Sequence, residues 1–181
     1  PASIVVKPAN RNIHVSERET VELECKPKGF PTPSIRWIGP NRNPLSNHSM
    51  LTINNISPFQ SGFYTCIAEN EVGNPKFEQY NIQVHHIPTL TVKENEIYTG
   101  TELKVTMTCY ILSNPKPKVH WMKIKSNANE ANTIFDISPS IININDTFFQ
   151  SALEITISAH SDLGTYECRA NNGIGENGAK V

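Results

Sequence analysis

The sequence predicts an all-β chain folded as two tandem β-sandwich domains, and three observations predict it. A frame of cysteine, tryptophan, tyrosine and cysteine occurs twice, apolar residues alternate with polar ones around it, and no helical period persists for the length of a helix. In the first half Trp37 follows Cys25 by twelve residues and Tyr64 precedes Cys66 by two; in the second, Trp121 follows Cys109 by twelve and Tyr166 precedes Cys168 by two. The copies are offset by 84 residues at the first cysteine and by 102 at the second, so the second copy holds eighteen more residues between Trp121 and Tyr166. Residues 125–132 (KSNANEAN), polar and loop-forming, are the expected home of that insertion, where a strand pair can lengthen without touching a core. The repeat sets the domains at 1–85 and 86–181.

Period-two alternation places the strands. Val21, Leu23 and Cys25 alternate with Glu22, Glu24 and Lys26, and Val105, Met107 and Cys109 with Lys104, Thr106 and Thr108, as half-buried strands require. Leu51 and Ile53 precede Cys66 by the same distances as Leu153 and Ile155 precede Cys168, and both pairs are expected to face inward. Thirteen prolines spread along the chain argue further against helices. The junction 82–89 (IQVHHIPT) has no Gly or Ser, so the last strand of one domain is expected to run almost directly into the next, giving a semi-rigid, extended rod. Only six residues follow Gly175, against about eleven for the last strand after Gly73. The final strand of the second domain is therefore expected to be cut short, and the chain to be a segment of a longer protein.

Composition narrows the function. Sixteen Lys and Arg meet seventeen Asp and Glu, for a net charge of −1, with no long run of either sign; that is no footprint of a nucleic-acid binder. Apolar runs fall far short of the roughly 18 residues a membrane helix needs, and the start lacks a signal peptide's charged and apolar regions. Apolar residues at 38% suit two small cores better than one large one. No HExxH, CxxC, GxSxG, P-loop or GxGxxG motif occurs. His85 and His86 are adjacent, so on a strand they point to opposite faces, and no third ligand lies nearby in sequence. Asp136, Asp146 and Asp162 are dispersed without acid–base partners. No enzyme, cofactor or metal site is expected.

Four cysteines allow three pairings, and the repeat favours one pair in each half. The runs 61–66 (SGFYTC) and 161–168 (SDLGTYEC), with the cysteine and tryptophan upstream, resemble the immunoglobulin superfamily, in which a Tyr two before the second Cys forms the tyrosine corner. The turns 68–73 (AENEVG) and 170–175 (ANNGIG) resemble those of intermediate-set (I-set) domains of adhesion molecules. That resemblance implies disulfides Cys25–Cys66 and Cys109–Cys168, buried Trp37 and Trp121, and corners at Tyr64 and Tyr166. Two departures stand out. Gln60 occupies a position where the family often has Asp, as at Asp162, and Ser158 stands where the first copy has apolar Ile56.

The runs 29–37 (GFPTPSIRW) and 66–75 (CIAENEVGNP) are most similar to the second domain of lachesin, amalgam and the neuronal IgLON proteins. The resemblance implies cell adhesion or neuronal recognition through homophilic or heterophilic contact with another immunoglobulin-superfamily protein. In those proteins the principal contact lies on the first of three domains, which a chain comprising domains two and three would lack. The rival readings are a ligand-binding ectodomain of a receptor kinase or phosphatase, and a soluble immune protein resembling hemolin. Disulfides persist outside the cytosol, whereas muscle I-set domains keep such cysteines reduced. Three glycosylation sequons, at Asn47, Asn55 and Asn145, favour an extracellular location, secreted or at the cell surface.

Strand parity places Arg36, Ile38, Phe63, Thr65, Ile67 and Glu69 on an outer sheet face, of which Arg36, Ile38, Phe63 and Ile67 are the candidate partner-binding residues. Asn47 and Asn55 flank the Leu51 strand, so their glycans are expected to cover the other sheet and leave this face open. In the second domain Lys116, Lys118, His120 and Met122, with Lys123 and Lys125 beyond, form a stripe that could attract heparan sulfate, or be a solvated face.

Overall fold

The computed structural model describes residues 1–124, 133–135 and 140–181. The insertion expected over 125–132, Lys125 and Asp136 lie outside them. The chain divides into two compact units, 1–85 and 86–181.

The first unit is a two-sheet sandwich. Strands β1 (Ser3–Lys7), β3 (Val21–Lys28) and β6 (Met50–Ile53) form one antiparallel sheet. The second runs in the order β2 (Asn12–Ser16), β8 (Lys76–Val92, here to His85), β7 (Gly62–Glu69), β4 (Ser34–Ile38) and β5 (Pro44–Ser46), with β2 parallel to β8 and the other pairs antiparallel. The alternation read from the sequence is the register of the core. Val21 lies opposite Ile53 and Leu23 opposite Leu51, all four buried, and from the facing sheet Trp37, Tyr64, Tyr80, Ile82 and Val84 meet them.

Polar groups in this core are satisfied. Trp37 Nε1 donates to the His48 carbonyl at 3.0 Å, and the Tyr80 hydroxyl to the Lys7 carbonyl at 2.9 Å, where β1 ends. Burial pushes the phenol pKa of Tyr80 above its ordinary value, with the Arg11 guanidinium, 5.1 Å from the ring centre, opposing it.

The second unit repeats the two-sheet plan. Residues of β8 from His86, β9 (Lys104–Asn114), β13 (Phe148–Thr156) and β12 (Ser140–Asn143) form one sheet; β11 (Thr133–Phe135), β10 (Lys118–Lys123), β14 (Tyr166–Asn171) and β15 (Glu176–Lys180) form the other. Met107 lies opposite Leu153 and Val105 opposite Ile155, the latter half-buried against the core. Here the indole of Trp121 donates to the hydroxyl of Ser151 at 3.1 Å, which accounts for a fully buried serine on β13. The cysteine and tryptophan frame is that of the first unit, with Trp121 opposite Cys168 as Trp37 is opposite Cys66. β15 ends at Lys180, and Val181 exchanges both backbone hydrogen bonds with Tyr166.

A disulfide ties the sheets in each unit, Cys25 to Cys66 and Cys109 to Cys168, with a Cα–Cα distance of 6.5 Å in both. Closing loops of 41 and 59 residues stabilises each unit by about 4 kcal/mol on the chain-entropy account.

The tyrosine corners correct one sequence alignment. Tyr64 donates to the Gln60 carbonyl at 2.8 Å and Tyr166 to the Asp162 carbonyl at 2.6 Å. The residue equivalent to Ile56 is Ile157, not Ser158. Ile56 bonds backbone to backbone with Arg18 and Glu19, and Ile157 in the same way with Glu102 and Leu103; both side chains are buried. The second corner holds one extra residue, between Ile157 and Asp162, which displaced the match. Gln60 is also no defect, since its side-chain carbonyl accepts the Ser57 N–H at 2.9 Å, as an Asp162 oxygen accepts the N–H groups of Ser158 and Ala159 at 2.9 Å.

Those backbone bonds hold the Asp162 carboxyl below its ordinary pKa of 3.8, and Lys123 acts in the same direction. A depressed carboxyl contributes stability that is present above its unfolded value and lost as pH falls through the folded one. The expected outcome is that acidification below about pH 4 lowers the melting temperature of the wild-type second unit more than that of Asp162→Asn. The first unit's corner uses neutral Gln60 and contributes no such response; the carboxyl held low there is Glu24, through its hydrogen bond with Lys26. Melting curves at pH 7 and pH 3 check this.

Candidate functional site

The outer face of the β8–β7–β4 sheet is built by parity. Tyr80, Ile82 and Val84 point inward on β8, so Phe77, Gln79 and Asn81 point out; on β7 inward Tyr64 and Cys66 leave Phe63, Thr65, Ile67 and Glu69 outside. Register sets Phe77, Ile67 and Arg36 in one row across three strands, and Gln79, Thr65 and Ile38 in the next, with Phe63 opposite Asn81 beyond. Phe63 is 57% exposed and Phe77 61%. Gln79 donates to the Thr65 hydroxyl at 3.2 Å, and Arg36 lies 3.8 Å from Glu69 at one margin. The result is a nearly flat surface with two exposed aromatic rings and a polar rim.

Three sequence expectations about surfaces change. Ile67 is on the outer face but only 5% exposed, because a residue on the middle strand is flanked by its cross-strand partners, here Arg36 and Phe77. It supports the face and is not open to contact. Ile38 is half-buried, while Arg36 and Phe63 are exposed. Phe77, absent from the expected set, carries more open apolar surface than Ile38. Its signal was the parity counted back from Ile82 and Val84.

The glycan argument changes too. β5 is three residues long and its register breaks between Trp37 and Ile38, so the chain leaves the sheet early and 47–49 cross toward the other one. Asn47 therefore lines an open concavity with Ser34, Arg36 and Glu69. A glycan on Asn47 would shade the Arg36 margin instead of the remote sheet. Asn55 is exposed just after β6, a strand of the other sheet.

In the second unit the basic stripe loses members. Met122 is 9% exposed, between Glu167 and Ile134 on neighbouring strands. Lys123 turns away to donate to the Ser161 carbonyl, with its ammonium 5.6 Å from the Tyr166 ring centre. Lys116, Lys118 and His120 remain, and the neighbouring Arg169 is paired with Glu167 and Glu176. The heparan sulfate expectation thus loses its geometric basis.

Concave sites offer little chemistry. A cavity of about 190 Å³ in the second unit is lined by apolar Ile97, Val105, Met107, Ile155, Ile157 and Leu163, and its carboxylate, Asp162, is held by the corner. Among the described residues no group of three or more His, Cys, Asp or Glu could hold a metal ion, and no helix is long and apolar enough to cross a membrane. His85 and His86 do point to opposite faces: His86 is buried at 4% with Nδ1 2.7 Å from the Ile87 carbonyl, while His85 meets His14.

With this geometry in hand, likeness to known proteins is informative. A family model for the immunoglobulin domain matches residues 1–70 and 87–172. Lachesin of Schistocerca americana is 28% identical over 177 residues, covering 93% of this chain and 49% of the relative. The limbic system-associated membrane protein of Rattus norvegicus is 31% identical over 174 residues, covering 94% of this chain and 48% of that protein. The chain thus spans about half the length of each of these two relatives. Among solved structures, the crystal structure of Dpr2 Ig1-Ig2 in complex with DIP-Theta Ig1-Ig3 matches all of this chain and 63% of its own, with a TM-score of 0.82 at 24% identity, a likeness of fold.

The burial pattern separates contact from support. Phe63→Asp and Phe77→Asp should each change the stability of the first unit by less than about 1 kcal/mol. Ile67→Ala, which leaves a void beneath two neighbours, should cost about 2–4 kcal/mol. Urea unfolding of the three variants checks the contrast.

Proposed function

The chain belongs to the immunoglobulin domain family, and from that premise we propose that it is an extracellular recognition segment whose first domain binds another immunoglobulin-superfamily protein through the outer face of β8, β7 and β4. The observation that carries this is the pair of exposed rings, Phe63 and Phe77, on a flat face over buried Ile67. Aromatic anchors backed by a rigid sheet and rimmed by polar side chains are what protein interfaces place at their centre. A preformed strand face also orders few side chains on binding, which limits the entropy lost. The biological setting that fits best is cell adhesion or neuronal recognition. Lachesin and the limbic system-associated membrane protein support that reading, as does the likeness to a complex formed by paired Ig domains. Family membership makes these recognition domains and not an enzyme.

The proposed location, outside the cell, draws on two disulfides and on three exposed sequon asparagines. At Asn145 the side-chain carbonyl accepts the backbone N–H of Thr147 and of Phe148, and lies 3.3 Å from the Thr147 hydroxyl, so the sequon forms a compact, accessible turn. We propose glycans at Asn47, Asn55 and Asn145. Secretion from animal cells should add mass removable by a glycosidase, and each Asn→Gln variant should lose one glycan's share.

The face itself is tested by masking it. Sedimentation of the fragment alone detects self-association at micromolar concentration, which identifies homophilic contact; binding to immobilised immunoglobulin-superfamily ectodomains detects the heterophilic kind. Phe63→Asp and Phe77→Asp should each weaken whichever contact is found by at least about tenfold. Gln79→Asn with Asn81→Thr creates a sequon in the middle of the face, and its glycan should abolish binding. Undiminished affinity in all of these proteins, each folded, would assign recognition to another surface.

A further inference from the structure

β2 is the edge strand of its sheet and runs parallel to β8, with His14 opposite Gln83 and Ser16 opposite His85. Val15 points into the core from β2 and Val84 from β8, so His14 and His85 both stand on the outer face. Their rings meet diagonally. His14 Nδ1 is 3.2 Å from His85 Nε2, the ring centres are 5.2 Å apart, and the planes are tilted by 50°. His14 is exposed and His85 half-buried, so the approach from solvent is open.

We propose that His14 and His85 form a chelating site for a divalent transition-metal ion of the zinc and copper class. Imidazole nitrogen suits these ions and not magnesium or calcium. In a tetrahedral centre with zinc–nitrogen bonds of about 2.0–2.1 Å, two imidazole nitrogens stand about 3.3 Å apart, which is the separation these two strands already impose.

The chemistry balances without an added reactant. Between neutral rings one nitrogen donates its proton to the other's lone pair. In the metal complex the donating ring carries that proton on its other nitrogen, and both facing lone pairs bond to the ion. Among the described residues no third His, Cys, Asp or Glu completes the set. Glu19, the acid three residues past β2, is already accepting the Ser16 N–H at 2.9 Å. Two positions on the ion stay open to water or to a donor from another molecule. Because the ligands come from different strands, the ion clips the edge strand β2 to β8 and stabilises the folded first domain by mass action.

Calorimetric titration of the intact fragment with zinc chloride, and separately with nickel chloride, tests the site. The expected result is saturable uptake of about one ion per chain and a melting temperature raised by several degrees, with no response to magnesium. His14→Gln and His85→Gln should each abolish both effects while melting like wild type in a chelator. His120→Gln, on the second domain, should retain them. Absence of saturable uptake, or equal uptake by His14→Gln and wild type, would overturn the assignment.

Discussion

One sulfur bridge laid against one buried indole organises each domain. Cys25 with Trp37, and Cys109 with Trp121, are completely buried and lie on facing sheets, so the bridge holds the sheets together where the largest side chain fills the space between them. Every other layer follows from that spacing. With the inner faces fixed, parity alone determines which side chains look outward, and the tyrosine corner secures the end of the strand that carries the second cysteine. The proposed contact surface is thus a by-product of core geometry. It is flat because a strand face is flat, and it offers contact in place of a reaction cleft.

The two domains show how one plan absorbs change. The indole N–H finds a backbone carbonyl in the first and a serine hydroxyl in the second, and the corner's backbone N–H groups meet a neutral amide in one and a carboxylate in the other. These substitutions keep each buried or capped donor satisfied, which a low-dielectric interior demands. They also give the two corners different responses to acid, since only the carboxylate titrates.

The sandwich, the bridges and the inward residues were legible in the sequence, because a period of two and a repeated cysteine and tryptophan spacing survive without tertiary information. Surface detail was less legible. Parity says that Ile67 faces outward, but not that Arg36 and Phe77 cover it; coverage depends on cross-strand neighbours. Spacing from the second cysteine equates Ser158 with Ile56, because one more residue between Ile157 and Asp162 is offset by one fewer between Ile155 and Ile157, so the flanking spacings match. Asn47 was assigned to the remote sheet since the early exit of a three-residue strand has no sequence signature. The meeting of His14 and His85 joins positions 71 apart, and only a parallel strand pair, invisible to local pattern, brings them together.

The central claim, two sandwiches each closed around its own bridge, is tested most directly by proteolytic peptide mapping of the native chain without reduction. The account predicts a linked peptide containing Cys25 and Cys66, another containing Cys109 and Cys168, and no thiol open to alkylation. Peptides linking a cysteine of one half to a cysteine of the other, or free thiols in the native molecule, would contradict it.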